Sequence, residues 1–342
     1  MVVAVACSSS KHGKGTDAAV DVPITDAPVD AFVPDAPPMI ATGDPHTAIP
    51  CLRADATSVY WSSGFVPSYV WKSPLGGGSA ALLATDQNEN ACVRALDATN
   101  VYYTDGAGGL YGVPVDGGSA ALRGPYSLGY VTTNGQYVVA EFYNTGTELW
   151  ITPVGDASAQ AWSEYIGLYA LSNLAADATY TYFTGETAVS GVFSIARASI
   201  GSDFNPTVEM LYTPPDGVVL GGGMPLYPSQ VPTAPYALDA QNLYIVQQLG
   251  SNGVTQIIQR AITGSAAPVA LVDNQLQVAG IAVDSTDVYW SAMNGSDSAV
   301  IQRVPIGGGP VTTVATNTSG TFALAPSHVV YSVPGAIQVV PK

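Results

Sequence analysis

The sequence is poor in positive charge and in the side chains of acid–base and metal chemistry. Lysine and arginine together number 10 against 26 aspartates and glutamates, a formal charge of −16 over 342 residues. A nucleic-acid-binding chain needs a basic surface to displace the counterions of the phosphates, so nucleic acid is not an expected partner. There are three histidines; outside the N-terminal segment these are His46 and His328, expected on different parts of the fold, which argues against a paired histidine acid and base. Neither C-x-x-C nor H-E-x-x-H is present, and a nucleophilic serine would lack its G-x-S-x-G turn. No catalytic residue, metal ligand set or cofactor is therefore assigned. Charged residues make up only 11%, yet no apolar run approaches the roughly 18 residues of a membrane-spanning helix.

What is abundant is turn and strand chemistry: 36 glycines, 25 prolines and 19 tyrosines. Short strands joined by tight turns suit this composition better than amphipathic helices. Seven apolar or aromatic triplets recur: Val59-Tyr60-Trp61, Val101-Tyr102-Tyr103, Tyr137-Val138-Val139, Thr181-Tyr182-Phe183, Leu243-Tyr244-Ile245, Val288-Tyr289-Trp290 and Val329-Val330-Tyr331. Most follow an acidic turn residue by four to six positions, and their spacing of roughly forty residues is that of propeller blades. The clearest repeat reads as four strands, from Gly280, Asp287, Ala299 and Pro310, with Gly307-Gly308-Gly309 supplying the positive φ of a hairpin between the last two. Asp55, Asp97, Asp177, Asp239 and Asp284 each precede the second strand of a repeat. An aspartate there accepts backbone N–H bonds and fixes the turn, which is the expected role in preference to metal binding.

The last repeat supplies three strands before the chain ends at Lys342, while Met39-Ile40-Ala41-Thr42 precedes the first. The expected fold is all-β: a seven-bladed β-propeller of four-stranded antiparallel blades, the last blade completed by the N-terminal strand so that no sheet edge stays open. Val101-Tyr102-Tyr103-Thr104-Asp105 resembles a YWTD-type propeller repeat, with near matches at Val59–Ser62 and Val288–Ser291. Residues 39–342 are similar to repeat-bearing propeller lipoproteins of myxobacteria. The pattern departs from the YWTD family in its blade count, seven here against six.

Ahead of the propeller, residues 1–7 end in Ala4-Val5-Ala6-Cys7 and resemble the close of a bacterial lipoprotein signal, with Cys7 as the lipidated residue. A secretory signal needs a basic start and an apolar stretch of roughly 7–15 residues, which implies a true start upstream of Met1. Ser8 suits delivery to the outer membrane. Residues 8–38 carry Asp17, Asp21, Asp26, Asp30 and Asp35 among prolines and read as an acidic disordered tether. Their spacing does not fit an EF-hand loop. The expected location is the cell envelope, with membrane attachment through the lipid alone.

Candidate binding residues gather on the loops joining second to third strands and outer to inner strands, which share one face. They are Asp105, Glu141, Tyr143, Glu186 and Asp297, with Asp86, Glu89 and Tyr126 nearby; together they read either as a ligand surface or as a solvated acidic rim. The connection from about Tyr212 to Tyr236, including Tyr227, is long enough to be a lid over the central channel or a tolerated insertion. Cys51 and Cys92 occupy equivalent positions in the first two repeats. They read as a disulfide worth about 2–4 kcal/mol, or else as two buried thiols. Arg53 and Arg94, two residues further on, are expected to face the channel, to meet an anion or to pair with aspartate. The expected function is a binding or scaffold module with a protein or glycan on the loop face; the alternative is a carboxylate-dependent lyase or glycan hydrolase at the channel mouth.

Overall fold

The computed structural model describes residues 39–41, 49, 51–64, 66–88, 90–124, 128–143, 147–154, 162–165, 168–186, 192–200, 207–221, 235–250, 254–264, 266–294 and 298–342. Cys7, the tether, Glu89, Tyr126, Tyr227 and Asp297 lie outside them, as does the side chain of Tyr143. Among the described residues every regular element is a strand, and no helix is long and apolar enough to cross a membrane.

The strands form seven antiparallel sheets around one axis, and neighbouring sheets meet through their inner strands. Counted from the axis outward, blade 1 is Leu52–Ala54, Ser58–Ser63, Ser68–Pro74 and Ala81–Asp86, and blade 2 is Cys92–Leu96, Asn100–Thr104, Leu110–Pro114 and Ala121–Leu122. Blade 3 is Leu128–Thr133, Tyr137–Tyr143, Thr147–Pro153 and Trp162–Tyr165; blade 4 is Tyr169–Ala176, Tyr180–Glu186, Phe193–Ser199 and Val208–Tyr212. Blade 6 is Val278–Val283, Asp287–Met293, Ala299–Pro305 and Thr312–Thr318. In blade 7, Phe322–Leu324, His328–Val333 and Ala336–Pro341 are joined at the outer edge by Met39–Ala41, in the register Met39 to Gln338, Ile40 to Ile337 and Ala41 to Ala336. The seven-bladed ring and its N-terminal clasp are thus as the repeats predict.

Blade 5 differs from the sequence reading. Its second, third and outer strands are Asn242–Leu249, Val254–Ala261 and Val269–Leu276, but its inner position is filled by two pieces, Val218–Leu220 and Tyr236–Leu238, both paired to the second strand. Gly221 donates to the Val246 carbonyl and Val246 donates to the Pro235 carbonyl, so the chain departs from the inner strand and rejoins it at one point. Part of the connection expected after Tyr212 is therefore blade, and residues 222–234 lie outside the described residues.

The triplets explain why the ring holds together. Side chains along a strand alternate between its two faces, so the middle residue faces one neighbouring blade and its flanks face the other. Tyr60 packs with Val93, Val101 and Tyr103 at the junction of blades 1 and 2, whereas Val59 and Trp61 pack with Ile40, Val330, Ile337 and Val339 at the junction with blade 7. Tyr102 faces blade 3, and Tyr182 faces blade 5 while Phe183 faces blade 3. Tyr244 faces blade 6 and Tyr289 faces blade 7. One buried cluster thereby fills each junction, and each fully buried large side chain contributes about 1.5–3 kcal/mol. In blade 3 the equivalent triplet is Val138-Val139-Ala140: Val139 faces blade 4 while Val138 and Ala140 face blade 2, one position later than the sequence alignment places it.

Turn chemistry sets the strand order. Asp97 accepts the backbone N–H groups of Thr99 and Asn100 at 2.7 and 2.8 Å, and Asp55, Asp177, Asp239 and Asp284 repeat the arrangement. Asn134 does the same in blade 3, which the aspartate pattern had passed over. Between third and outer strands of blade 6, Gly308 and Gly309 have φ of 81° and 142°, a conformation closed to residues with a Cβ at little cost.

Candidate functional site

The inner strands enclose an axial cavity of about 330 Å³, lined from blades 1, 2, 3, 4, 6 and 7. In blade 1, Cys51 and Arg53 are two apart and share the channel face, while Leu52 between them is fully buried in the junction with blade 7. Cys92 and Arg94 repeat this in blade 2. Cys51 and Cys92 form a disulfide, with 5.3 Å between their Cα atoms. The bridge ties the two strands beside their arginines, the disulfide expected of the two cysteines.

Bulges direct the rest of the lining. In blade 2, Val93 pairs with Tyr103 and Ala95 with Tyr102, leaving Arg94 as an extra residue against the second strand. Blades 3 and 4 carry similar register shifts at Tyr130 and at Asn173, and Asn173 has a φ of 59°. A bulge re-aims a side chain out of the regular alternation. It brings Arg94, Tyr130 and Asn173 to the cavity wall.

Arg53 donates from Nε to the Arg94 carbonyl and from Nη1 to the Leu52 carbonyl, each at 2.8 Å. Both acceptors are neutral. Among the described residues no carboxylate pairs with Arg53, contrary to the expected aspartate partner. The side chain is exposed to the channel but walled by protein, and this desolvation lowers its pKa; a guanidinium nevertheless stays protonated. Arg94 donates from Nε to Thr104 Oγ1 at 3.0 Å. The Tyr130 hydroxyl is pushed up to about 12, chiefly by burial; Arg94 opposes this and Glu141 adds to it. Tyr130 is thus a neutral donor at physiological pH. The Asn173 amide nitrogen reaches Ser172 Oγ at 3.0 Å and Thr184 Oγ1 at 3.2 Å, while its Oδ1 is buried with no hydrogen-bond partner. The remaining lining includes Leu174, Ile281, Phe322 and Leu324 and holds no carboxylate.

The loop-face acids are placed differently from a solvated rim. Asp105 is 5% exposed and closes the turn after the second strand of blade 2: its Oδ1 accepts from the N–H groups of Ala107 and Gly109, and its Oδ2 from the Asn88 amide at 2.7 Å. Asp86, 7% exposed at the end of blade 1, accepts the Asn88 N–H at 2.8 Å. Burial raises its pKa, the Asn88 bond opposes this, and the charge of Asp105 adds to the rise. This pair meets part of what a glycan hydrolase needs, one desolvated carboxyl beside another. Their oxygens, however, are engaged by turn donors that join blades 1 and 2, and neither residue lines the axial cavity. Glu141 is fully buried in the second strand of blade 3, and Glu186 is half-buried at the end of the second strand of blade 4. The structure thus brings Asp86 and Asp105 together and leaves Glu141 and Glu186 in other blades. Tyr130 and Asn173 carried no sequence signal, because nothing in the triplet pattern marks a bulge on the inner strand.

No family model matches the chain, and no curated protein matches it. Among solved structures it is similar to Sqt1 from Saccharomyces cerevisiae, with 11% identity and a TM-score of 0.52 over 90% of this chain and 99% of that one. The Cps50 (Swd1) β-propeller domain of Myceliophteria thermophila gives 10% identity and 0.57 over 87% and 99%. An acylaminoacyl peptidase of Pyrococcus horikoshii gives 10% and 0.59 over 83% of this chain but only 49% of the peptidase. Identities this low show a shared β-propeller fold and nothing finer.

Proposed function

We propose that this chain is an exported binding module, held at the cell envelope by a lipid on Cys7 and engaging a protein partner through one face of its ring. The observation that carries the reading is the contrast between the two ends of the propeller. At one end all seven blades turn from inner to second strand in three residues: 55–57, 97–99, 134–136, 177–179, 239–241, 284–286 and 325–327. At the other end the connections from second to third strand differ from blade to blade, spanning 64–67, 105–109, 144–146, 187–192, 250–253, 294–298 and 334–335. The three-residue turns are fixed by the fold, although longer third-to-outer connections share their end, whereas varied loops on a rigid frame are where proteins place recognition. The Ala4-Val5-Ala6-Cys7 sequence and the acidic, proline-rich stretch behind it support a lipid anchor and a spacer.

Site-specific photocrosslinking in the native host tests the face. Probes at the exposed Val66, Ala107 and Asn294 are expected to give a common protein adduct, and probes at Ala56, Ala98 and Ser285 none. Equal adducts from both ends, or an adduct from the three-residue turns alone, would reject the assignment. Metabolic labelling with palmitate tests the anchor: Cys7→Ser is expected to lose both the label and membrane fractionation, and retention of both defeats this part of the reading.

A further inference from the structure

We propose that the axial cavity is a binding site for a small organic carboxylate, with Arg53 and Arg94 as its cationic contacts. The site lies on the ring axis and goes beyond the loop-face partner, so either can hold without the other.

Charge placement is the first argument. The chain has 10 lysines and arginines, and two of them stand in one cavity whose lining includes no aspartate or glutamate. Of the six other described cations four are matched, Lys72 with Asp116, Arg197 with Glu209, Arg303 with Asp287 and Lys342 with Asp284, and Arg260 lies over the Tyr212 ring. Arg53 is not matched. Even with Glu141, which acts on the same wall through Tyr130, set against Arg94, the cavity keeps a positive charge. A guanidinium held by neutral carbonyls alone has no opposite charge beside it, and an incoming anion supplies one.

Preorganisation is the second. Two of the five guanidinium N–H donors of Arg53 are fixed on backbone carbonyls, one of them that of Arg94, which leaves three to bind an oxyanion. The Cys51–Cys92 bridge lies two residues before each arginine and holds their strands together. A fork clamped in this way loses little further freedom on binding a carboxylate.

The rest of the wall narrows the ligand. Leu174, Ile281, Phe322 and Leu324 favour an apolar body over a bare inorganic anion. Asn173, on blade 4, lines the same wall with its Oδ1 buried and unpartnered. A volume of about 330 Å³ is at the small end of ligand pockets, the size of a single metabolite or of a peptide's terminal residue.

Isothermal titration of the full chain with 3-phenyllactate, its methyl ester, inorganic phosphate, and a short Phe-ended peptide with free or amidated C-terminus tests the site. The free acid is expected to bind at millimolar or better affinity and the ester and phosphate at least tenfold more weakly. Binding of the free-ended peptide but not the amidated one assigns the carboxylate to a chain terminus, and binding of phenyllactate alone assigns it to a small molecule. Arg53→Gln is expected to weaken binding at least tenfold, Arg53→Lys to weaken it less, and Arg197→Gln, in the third strand of blade 4 and outside the cavity lining, to leave it unchanged. If Arg53→Gln fails to fold, the same ordering is read from Arg53→Lys against Arg197→Gln. No binding by any free carboxylate, equal binding of acid and ester, or an Arg53 variant that folds and binds as the parent does would overturn the proposal.

Discussion

The Tyr102 hydroxyl donates to Asp97 Oδ2 at 2.7 Å, across five residues and from one strand back to the turn before it. Tyr60 to Asp55, Tyr182 to Asp177 and Tyr244 to Asp239 repeat the bond at 2.8, 2.6 and 2.6 Å. In blade 6 Asp284 instead receives the Lys342 ammonium at 2.9 Å. Each tyrosine therefore buries its ring at a blade junction while its hydroxyl satisfies the carboxylate that shapes the turn. Tyr102→Phe keeps the ring and removes a hydrogen bond to a charged acceptor, with an expected loss of about 1.5–3 kcal/mol by urea denaturation. Asp97→Ala, which also strips the turn's N–H acceptor, is expected to cost more. A phenylalanine variant as stable as the parent would show that the bond adds nothing beyond ring burial.

These pairs also set the response to acid. Burial pushes the carboxyls of Asp55, Asp97, Asp177, Asp239 and Asp284 up, but their hydrogen bonds more than offset this and hold all five below the ordinary range. A carboxyl with a depressed folded-state pKa stabilises the fold fully above the unfolded value near 4, and that stability is lost as pH falls through the folded value. Asp86, raised, has the opposite sign: its contribution is present in acid and lost as pH rises through its folded value. One group stands against five, so the urea midpoint is expected to be level near neutrality and to fall once pH drops below about 4. The tyrosine partners, all raised by burial first, add a second loss above about 10. A midpoint that rises on acidification would contradict this balance.

The architecture was readable because each triplet encodes two contacts at once, one to each adjoining blade. Where that code weakens the sequence reading slips: in blade 3, with Asn134 in place of aspartate and valine in place of tyrosine, it misplaces the triplet by a single residue, enough to exchange the two faces. The split inner strand of blade 5 was hidden because Val218–Leu220 reads like the rest of a proline-rich connection. Arg53 and Arg94 were expected in the channel from their place on the inner strands, although Arg94 reaches it through a bulge. Tyr130 and Asn173 reach it by bulges, which depend on the register against a neighbouring strand and leave no local mark. Asp86 and Asp105 were recognised as acids at the loop face, but their burial follows from Asn88, whose side chain and backbone N–H bond one each.

The disulfide closes a loop between residues 41 apart in sequence. Loss of this constraint on the unfolded chain is expected to cost about 3–4 kcal/mol. Cys51→Ser with Cys92→Ser, measured by urea denaturation against the parent, should show that loss, and the parent under reducing conditions should approach the double variant. A difference below about 1 kcal/mol would mean that the junction of blades 1 and 2 needs no covalent tie.

Closure of the ring rests on three residues, and Ile40 is the centre of them. Its side chain is fully buried with Trp61, Val330, Ile337 and Val339, so the clasp strand contributes core packing as well as sheet pairing. Ile40→Ala is expected to lose about 2–5 kcal/mol, the usual range for emptying a buried aliphatic site. Deleting residues 39–41 has a different consequence, because it bares the backbone edge of Ala336–Pro341 to solvent. An unpaired edge templates pairing with other chains. The deletion variant is therefore expected to elute as dimers and larger species on size-exclusion chromatography at concentrations where Ile40→Ala remains monomeric. If both variants stay monomeric and lose equal stability, the clasp acts only through its one buried side chain, and the open edge of blade 7 carries no penalty of its own.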